Sequence, residues 1–262
     1  MPEIPRDDRF DSSFALLRDP YRFISDRRRS SGSDLFEARL QFRKTICMTG
    51  SEAARLFYDP DRFMRSGAMP KAVQKTLLGV GGVQSLDDDA HRRRKQMFVS
   101  LLTAGSVRQM VQLAAEEWRS RLQAWAVADR IRLYPELQSI LTRAACVWAG
   151  VPLDEAAACM RTRQIVALFD AAGSAGPRHL WSRWARKQAD RWMATFVEQV
   201  RSGRLRPPEG SPAHKIAWHR DLNGELMPPP VAAVEMLNVI RPTVAVSVYM
   251  VLVAHALQVF KD

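Results

Sequence analysis

The longest apolar stretch of the chain runs from Pro228 to Phe260, and its interior holds Arg241 followed by Pro242. Proline removes the N–H that would bond the Asn238 carbonyl, and its ring crowds that oxygen, so a helix here is expected to kink or open. The preceding residue is pushed away from helical angles. Arginine keeps its charge, and burying it unpaired among Val239, Ile240, Val244 and Val246 would be prohibitive, so the pattern calls for an anionic partner. Two other readings fit the same letters. One is a surface arginine on an amphipathic helix that ends at Pro242. The other is a membrane span, because residues 242–260 carry no formal charge and about 20 apolar residues cross a bilayer. Pro242, Thr243, Ser247, His255 and Gln258 spoil a lipid-facing surface, so a central helix of a large core is the better fit and no transmembrane segment is expected.

Residues 14 to 29 predict a short helix entered after Pro20 and ending in Arg27, Arg28 and Arg29. Phe36, Ala38, Leu40 and Phe42 then alternate at period two, a strand pattern, with a second strand through Ile46 to Met48. Thr49 with Glu52 spells a capping box for a helix over 53–58, stopped by Pro60. Residues 62 to 69 read as a linker. Pro70, at the first helical position, opens a short helix that ends at Gly79, Gly81 and Gly82; no helix follows these glycines at phosphate-loop spacing. Asp87, Asp88 and Asp89 precede HRRRKQMFVSLL, a charge order that suits a helix dipole. Further helices are predicted over 105–126, 135–149 from Pro135, 154–171 capped by Asp154, and 177–201 from Pro177, where Trp181, Trp184, Trp192 and Phe196 recur as an apolar stripe. Residues 203–230 read as a long loop or a pair of short elements. There is no internal repeat, and the fold class is mainly α with a small N-terminal β-sheet.

Composition narrows the function. The net charge of +11 comes from 39 basic residues against 28 acidic ones. Such an excess permits nucleic-acid contact, yet the arginines are scattered and no reading element is recognisable, so nucleic acid is not an expected partner. Charged residues stand where a signal peptide would need an apolar core, which points to a cytoplasmic location. Three widely spaced cysteines, Cys47, Cys146 and Cys159, argue against a disulfide framework or zinc cluster and read as core packing. No metal site is expected from spacing.

The segments GVQSLDDDAHRRRKQMF (82 to 98), CVWAGVPL (146 to 153), AGPRH (175 to 179) and NVIRPTVAVSVY (238 to 249) together resemble the fatty-acid peroxygenases, the hydrogen-peroxide-using branch of the haem-thiolate cytochromes P-450. The resemblance runs in order along the whole chain, as the N-terminal part of a single P-450 domain. It implies a haem b cofactor and peroxide-dependent hydroxylation of long-chain fatty acids at the α or β carbon, with no redox partner. Where oxygen-activating members carry an acid and a threonine, this chain has Arg241 and Pro242; Arg241 would bind the fatty-acid carboxylate, which then acts as acid and base. Gln84 matches the position above the haem and favours hydroxylation. His91, Lys95 and Arg65 match donors to the haem propionates, and Leu78 and Phe169 would line the acyl channel.

The chain also departs from that family. None of its cysteines lies in a Phe- and Gly-containing ligand loop, so the axial thiolate is absent, and Glu116 with Arg119 reads as an ordinary surface pair. The chain ends at VFKD, where the central helix should finish. It is expected to be a truncated P-450 fold, inactive alone. The alternatives are a non-catalytic acyl- or haem-binding remnant and, behind it, a basic helical nucleic-acid binder.

Overall fold

The first helical stretch breaks at Pro20 into two helices, Ser13–Arg18 (α1) and Phe23–Ser31 (α2), where a single helix was expected. The second closes on Gly32 in the left-handed region (φ 62°), a conformation glycine adopts without a Cβ penalty. A computed structural model describes residues 3–59, 61–171, 174 and 176–260, and the chain divides into two compact units, Met1–Met64 and Arg65–Asp262. Pro60, the expected helix stop, and Ala175 of the AGPRH segment lie outside the described residues.

In the first unit, Leu35–Leu40 (β1) pairs antiparallel with Arg43–Met48 (β2), with Phe36 opposite Cys47 and Leu40 opposite Arg43. Phe36 and Ala38 are buried as the alternation predicts. Phe42 is not part of that face. It is exposed in a two-residue turn with Gln41, both at positive φ (52° and 60°), because the hairpin needs its chain reversal there. Asp11 accepts the Phe42 N–H at 2.6 Å and Ser13 the Gln41 N–H at 2.6 Å, which offsets the unusual turn residues. Thr49 caps the helix Gly50–Phe57 (α3) by position only: its hydroxyl donates to the Asp34 carbonyl at 3.2 Å and Glu52 pairs with Arg55, so the capping box does not form.

The second unit is helical. Pro70 is the cap, one residue outside the helix, of Lys71–Val73 (α4), which continues as a π-turn over Gln74–Leu78. A 3-10 turn over Val83–Ser85 precedes Asp88–Leu101 (α5), Ala104–Ala126 (α6), Leu133–Ala149 (α7), Glu155–Asp170 (α8) and Pro177–Arg201 (α9). Asp154 accepts the Ala156 N–H and Pro177 is the first residue of its helix, as read. The loop after α9 contains Pro212–Ala217 (α10) and an isolated bridge between Arg220 and Leu226. Pro229–Ala245 (α11) passes through Pro242 before the helix breaks at Val246 and resumes as Ser247–Val259 (α12).

One stripe of α11, formed by Ala232, Ala233, Met236, Leu237, Ile240 and Val244, is buried against α7, α8 and α9 at the three-and-four spacing of a core-facing helix. Alanines at full burial on α7 (Ala144, Ala145) and α9 (Ala185, Ala189) let these backbones approach closely. The Pro229–Val259 run is long and apolar enough to cross a membrane, but its first half is core and carries two buried charges. By contrast α12 buries only Ser247 and exposes Tyr249, Leu252, Val253 and Leu257. Trp181 and Trp184 do not continue the core stripe of α9: they stack on each other at 4.8 Å, half-exposed, while Phe196 is buried. Cys47 and Cys146 are core residues, whereas Cys159 is exposed on α8, since its neighbour Ala158 takes the inward position.

Candidate functional site

A second stripe of α11, Val231, Val234, Asn238 and Arg241, carries the segment 77–84 along it. Gly79 sits at φ 86°, and a Cβ there would enter Val234 and the Arg186 guanidinium; at Gly82 it would come within 2.9 Å of Val234 and the side-chain Oε1 of Gln84. These two glycines allow the segment to lie directly on the helix. Pro242 leaves Arg241 inside α11, so the reading of a surface arginine at a helix end is overturned.

Arg241 is 8% exposed, and its Nη1 donates to the Leu77 carbonyl oxygen. Arg186 of α9, equally buried, donates to the same oxygen at 3.2 Å and is paired with Asp190 at 2.8 Å. Among the described residues Arg241 has no carboxylate partner. Burial, and then the neighbouring Arg186 charge, pull its pKa down to about 10. The site therefore holds a desolvated cation with a second cation beside it.

The pattern reading missed Glu235, which is fully buried and receives Arg94 Nη1 of α5 at 2.6 Å. The Nδ2 of Asn238 donates to Glu235 at 2.9 Å and to the side-chain oxygen Oε1 of Gln84 at 3.3 Å. Burial pushes the Glu235 pKa up, against the amide of Asn238, the Arg94 guanidinium and the Val83 N–H, which all favour the carboxylate. The signal was available, because Glu235 is the only acid in the helix that made Arg241 conspicuous. Six residues at ~100° each set the two about 120° apart on the helix, so they serve different partners.

Arg65 and the α5 residues His91 and Lys95 come together at one end of that helix. Asp87 accepts the Arg65 N–H at 2.6 Å and the Ser66 N–H at 3.1 Å, tying the 65–66 segment to the start of α5. Burial first, then the charges of Arg65 and Lys95, hold the His91 pKa below its ordinary value. Leu78 ends the π-turn, one residue after the Leu77 carbonyl that Arg241 contacts, while Phe169 packs half-buried against the main core. A cavity of about 740 Å³ between α6, α7, α8 and α9 does not include Arg241 in its lining. On its wall Arg143 pairs with Glu155 at 2.6 Å, and Asp170 accepts from the Tyr134 hydroxyl at 2.9 Å. Glu116 accepts from Gln112 at 3.1 Å, and no pair with Arg119 forms.

Comparison with solved structures shows what this arrangement is similar to. Cytochrome P-450SP alpha in complex with (R)-ibuprofen is 52% identical, with a TM-score of 0.94 over 96% of this chain. The chain belongs to the fatty-acid peroxygenase branch of the cytochrome P-450 superfamily. Cytochrome P-450EX alpha with myristic acid is 42% identical over the whole chain (TM-score 0.96), and a variant of cytochrome P-450 OleT with arachidonic acid is 26% identical over 98% of it (0.94). This P-450 chain spans 62–63% of the length of those three proteins. A curated relative, cytochrome P-450 26A1 of Gallus gallus, is 25% identical over 137 residues, 52% of this chain and 27% of that one. No family model matches.

P-450 relatives imply haem, and the residues present fit one part of it. The cations Arg65 and Lys95, with the His91 imidazole beside them as a further hydrogen-bond donor, suit the carboxylates at a haem edge. No cysteine here suits the axial position: Cys146 is fully buried in the main core with its thiol pushed up to about 12, Cys47 is buried in the sheet unit, and Cys159 is exposed on α8. No cluster of metal-ligating side chains occurs among the described residues.

Proposed function

We propose that this P-450 chain belongs to an enzyme that hydroxylates long-chain fatty acids at the α or β carbon with hydrogen peroxide, and that Arg241 is its carboxylate receptor. The observation that carries the reading is the buried Arg241 guanidinium, which has no carboxylate partner among the described residues and has a second cation, Arg186, at its side. A fatty-acid carboxylate supplies the missing charge through paired, charge-assisted N–H···O bonds. The ligands of three relatives, (R)-ibuprofen, myristic acid and arachidonic acid, are all carboxylic acids.

In this reading the bound carboxylate, held within hydrogen-bonding reach of the oxidant, passes protons as general base and then general acid. Arg241 fixes its position, and Pro242 occupies the place of a side chain that would otherwise manage protons. Gln84 bounds the site beside Asn238, and Leu78 and Phe169 line the acyl path. Arg65, His91 and Lys95 hold the haem b edge. A haem bound through a thiolate supplies the electronics for O–O cleavage. No redox partner takes part, and the enzyme works in the cytoplasm. A second reading, acyl binding without turnover by this chain alone, is favoured by the absence of a suitably placed thiolate among its cysteines.

The test uses a protein that extends this chain to the length of its relatives. Product should form from a long-chain fatty acid with peroxide alone. Activity only with a reduced nicotinamide cofactor and redox partners would assign it to the oxygen-activating branch.

A further inference from the structure

The polar groups between α5 and α11 form a line in which each member dictates the polarity of the next. Arg94 offers only donors, and its Nη1 meets Glu235 Oε1 at 2.6 Å. A carboxylate so paired offers only acceptors, and Glu235 Oε2 accepts a hydrogen bond from Asn238 Nδ2 at 2.9 Å. The same Nδ2 faces Gln84, so the oxygen of the Gln84 amide must turn toward it, and Oε1 lies at 3.3 Å. The Gln84 NH2 is thereby directed away from Asn238.

Two observations show that this order is enforced. The Oδ1 of Asn238 is buried and has no hydrogen-bond partner among the described residues, although rotating the amide would only bring that oxygen against the Glu235 carboxylate. At Gly82 there is no room for a side chain that would move Gln84 off, since a Cβ would stand 2.9 Å from Gln84 Oε1 and 3.0 Å from Asn238 Nδ2. Arg94 and Glu235 are 8% and 0% exposed, so water does not compete for their contacts.

We propose that Glu235, locked by Arg94, is a positioning residue that acts through Asn238 to present the Gln84 amide to the site as a hydrogen-bond donor. The role assigned to Gln84 rests on the peroxygenase reading; the order of its amide does not. Asn238 and Arg241 are three residues apart on one face of α11, so a donor at Gln84 and the guanidinium of Arg241 address the same kind of ligand, an anionic oxygen. Without the ion pair, Asn238 could present either end of its amide, and Gln84 could follow by presenting its oxygen.

The experiment follows the side-chain NH2 resonances of Gln84 in the full chain labelled with 15N-glutamine, assigned by Gln84→Met. The wild-type chain should give one narrow pair of resonances. The double variant Arg94→Met with Glu235→Leu replaces the buried ion pair by apolar groups, a change that can leave a fold intact. It should split or broaden that pair while far-ultraviolet circular dichroism is preserved. An unchanged pair in the folded double variant, or two pairs in the wild type, would overturn the proposal. If the double variant does not fold, Glu235→Gln takes its place with the same expectation and the same overturning result. Adding dodecanoate reads the dependent part. The Gln84 pair should shift in the wild type and shift less than half as far in the variant, with Arg241-dependent binding retained in both. If dodecanoate binds neither form, the receptor reading of Arg241 fails, while the ligand-free spectra still decide the positioning role.

Discussion

Arg186 and Arg241 donate to one acceptor, the carbonyl oxygen of Leu77, at the end of the 74–78 π-turn. Carbonyls at a helix C-terminus favour cations, but one oxygen does not neutralise two. Arg186 has Asp190 at 2.8 Å, whereas among the described residues Arg241 has no carboxylate partner.

Arg241→Met should therefore separate binding from folding. Burial, which pulls the Arg241 pKa down to about 10, costs the charged form on the order of 3 kcal/mol. Removing the charge should leave the ligand-free melting temperature unchanged or higher. Long-chain fatty-acid affinity should fall by about a hundredfold or more, the scale expected when one partner of a buried charged pair is lost. Calorimetric titration reads the affinity, and an unaltered Kd would remove Arg241 from the site.

Gly79 and Gly67 both have positive φ, 86° and 72°, but only Gly79 is enclosed. Alanine at Gly67 meets nothing within 4 Å and should cost about 1 kcal/mol through its backbone. At Gly79 it meets Arg186 and Val234 as well, and about 2 to 4 kcal/mol is expected when strain and overpacking combine. Urea unfolding of the two variants gives the comparison; equal losses would mean that segment 77–84 does not lie closely on α11.

His91 should titrate below its ordinary value of 6.5, because burial and the charges of Arg65 and Lys95 disfavour the imidazolium. Between the folded and unfolded pKa values the native chain binds fewer protons, so stability rises with pH across that window and is lost as pH falls through it. Proton NMR should place the midpoint under 6.5 in the ligand-free chain, and an anion bound beside Arg65, His91 and Lys95 should raise it. A ligand-free midpoint at or above 6.5 would mean that Arg65 and Lys95 do not face the imidazole.

Haem added to the purified chain, reduced and exposed to carbon monoxide, should not give the strongly red-shifted Soret band of a thiolate ligand. The Cys146 thiol, pushed up to about 12, is protonated and enclosed, Cys47 is buried in the sheet unit, and Cys159 is exposed on α8. Appearance of that band, and its loss on replacing one cysteine, would identify a ligand among them.

Several features of this chain are decided by near neighbours and were legible in its letters. Pro177 and Asp154 begin their helices as read, because an N-terminal proline or a capping carboxylate acts within one turn. The strand alternation held as far as Leu40, and burial of Arg241 followed from the apolar residues around it. Its family, too, was carried by short segments in order.

Other features depended on residues far apart along the chain. Phe42 left the strand pattern because the hairpin turned there, and Thr49 gave up its capping box to a contact with Asp34. Arg94 looked like one more charge in a basic run until folding set it on Glu235, 141 residues away. The carbonyl shared by Arg186 and Arg241 joins three elements that no periodicity links. Local propensity fixes where a helix begins and which face is apolar. Which buried charge meets which partner is settled only when desolvation makes every unpaired group costly and the packed helices leave each one a single place to turn.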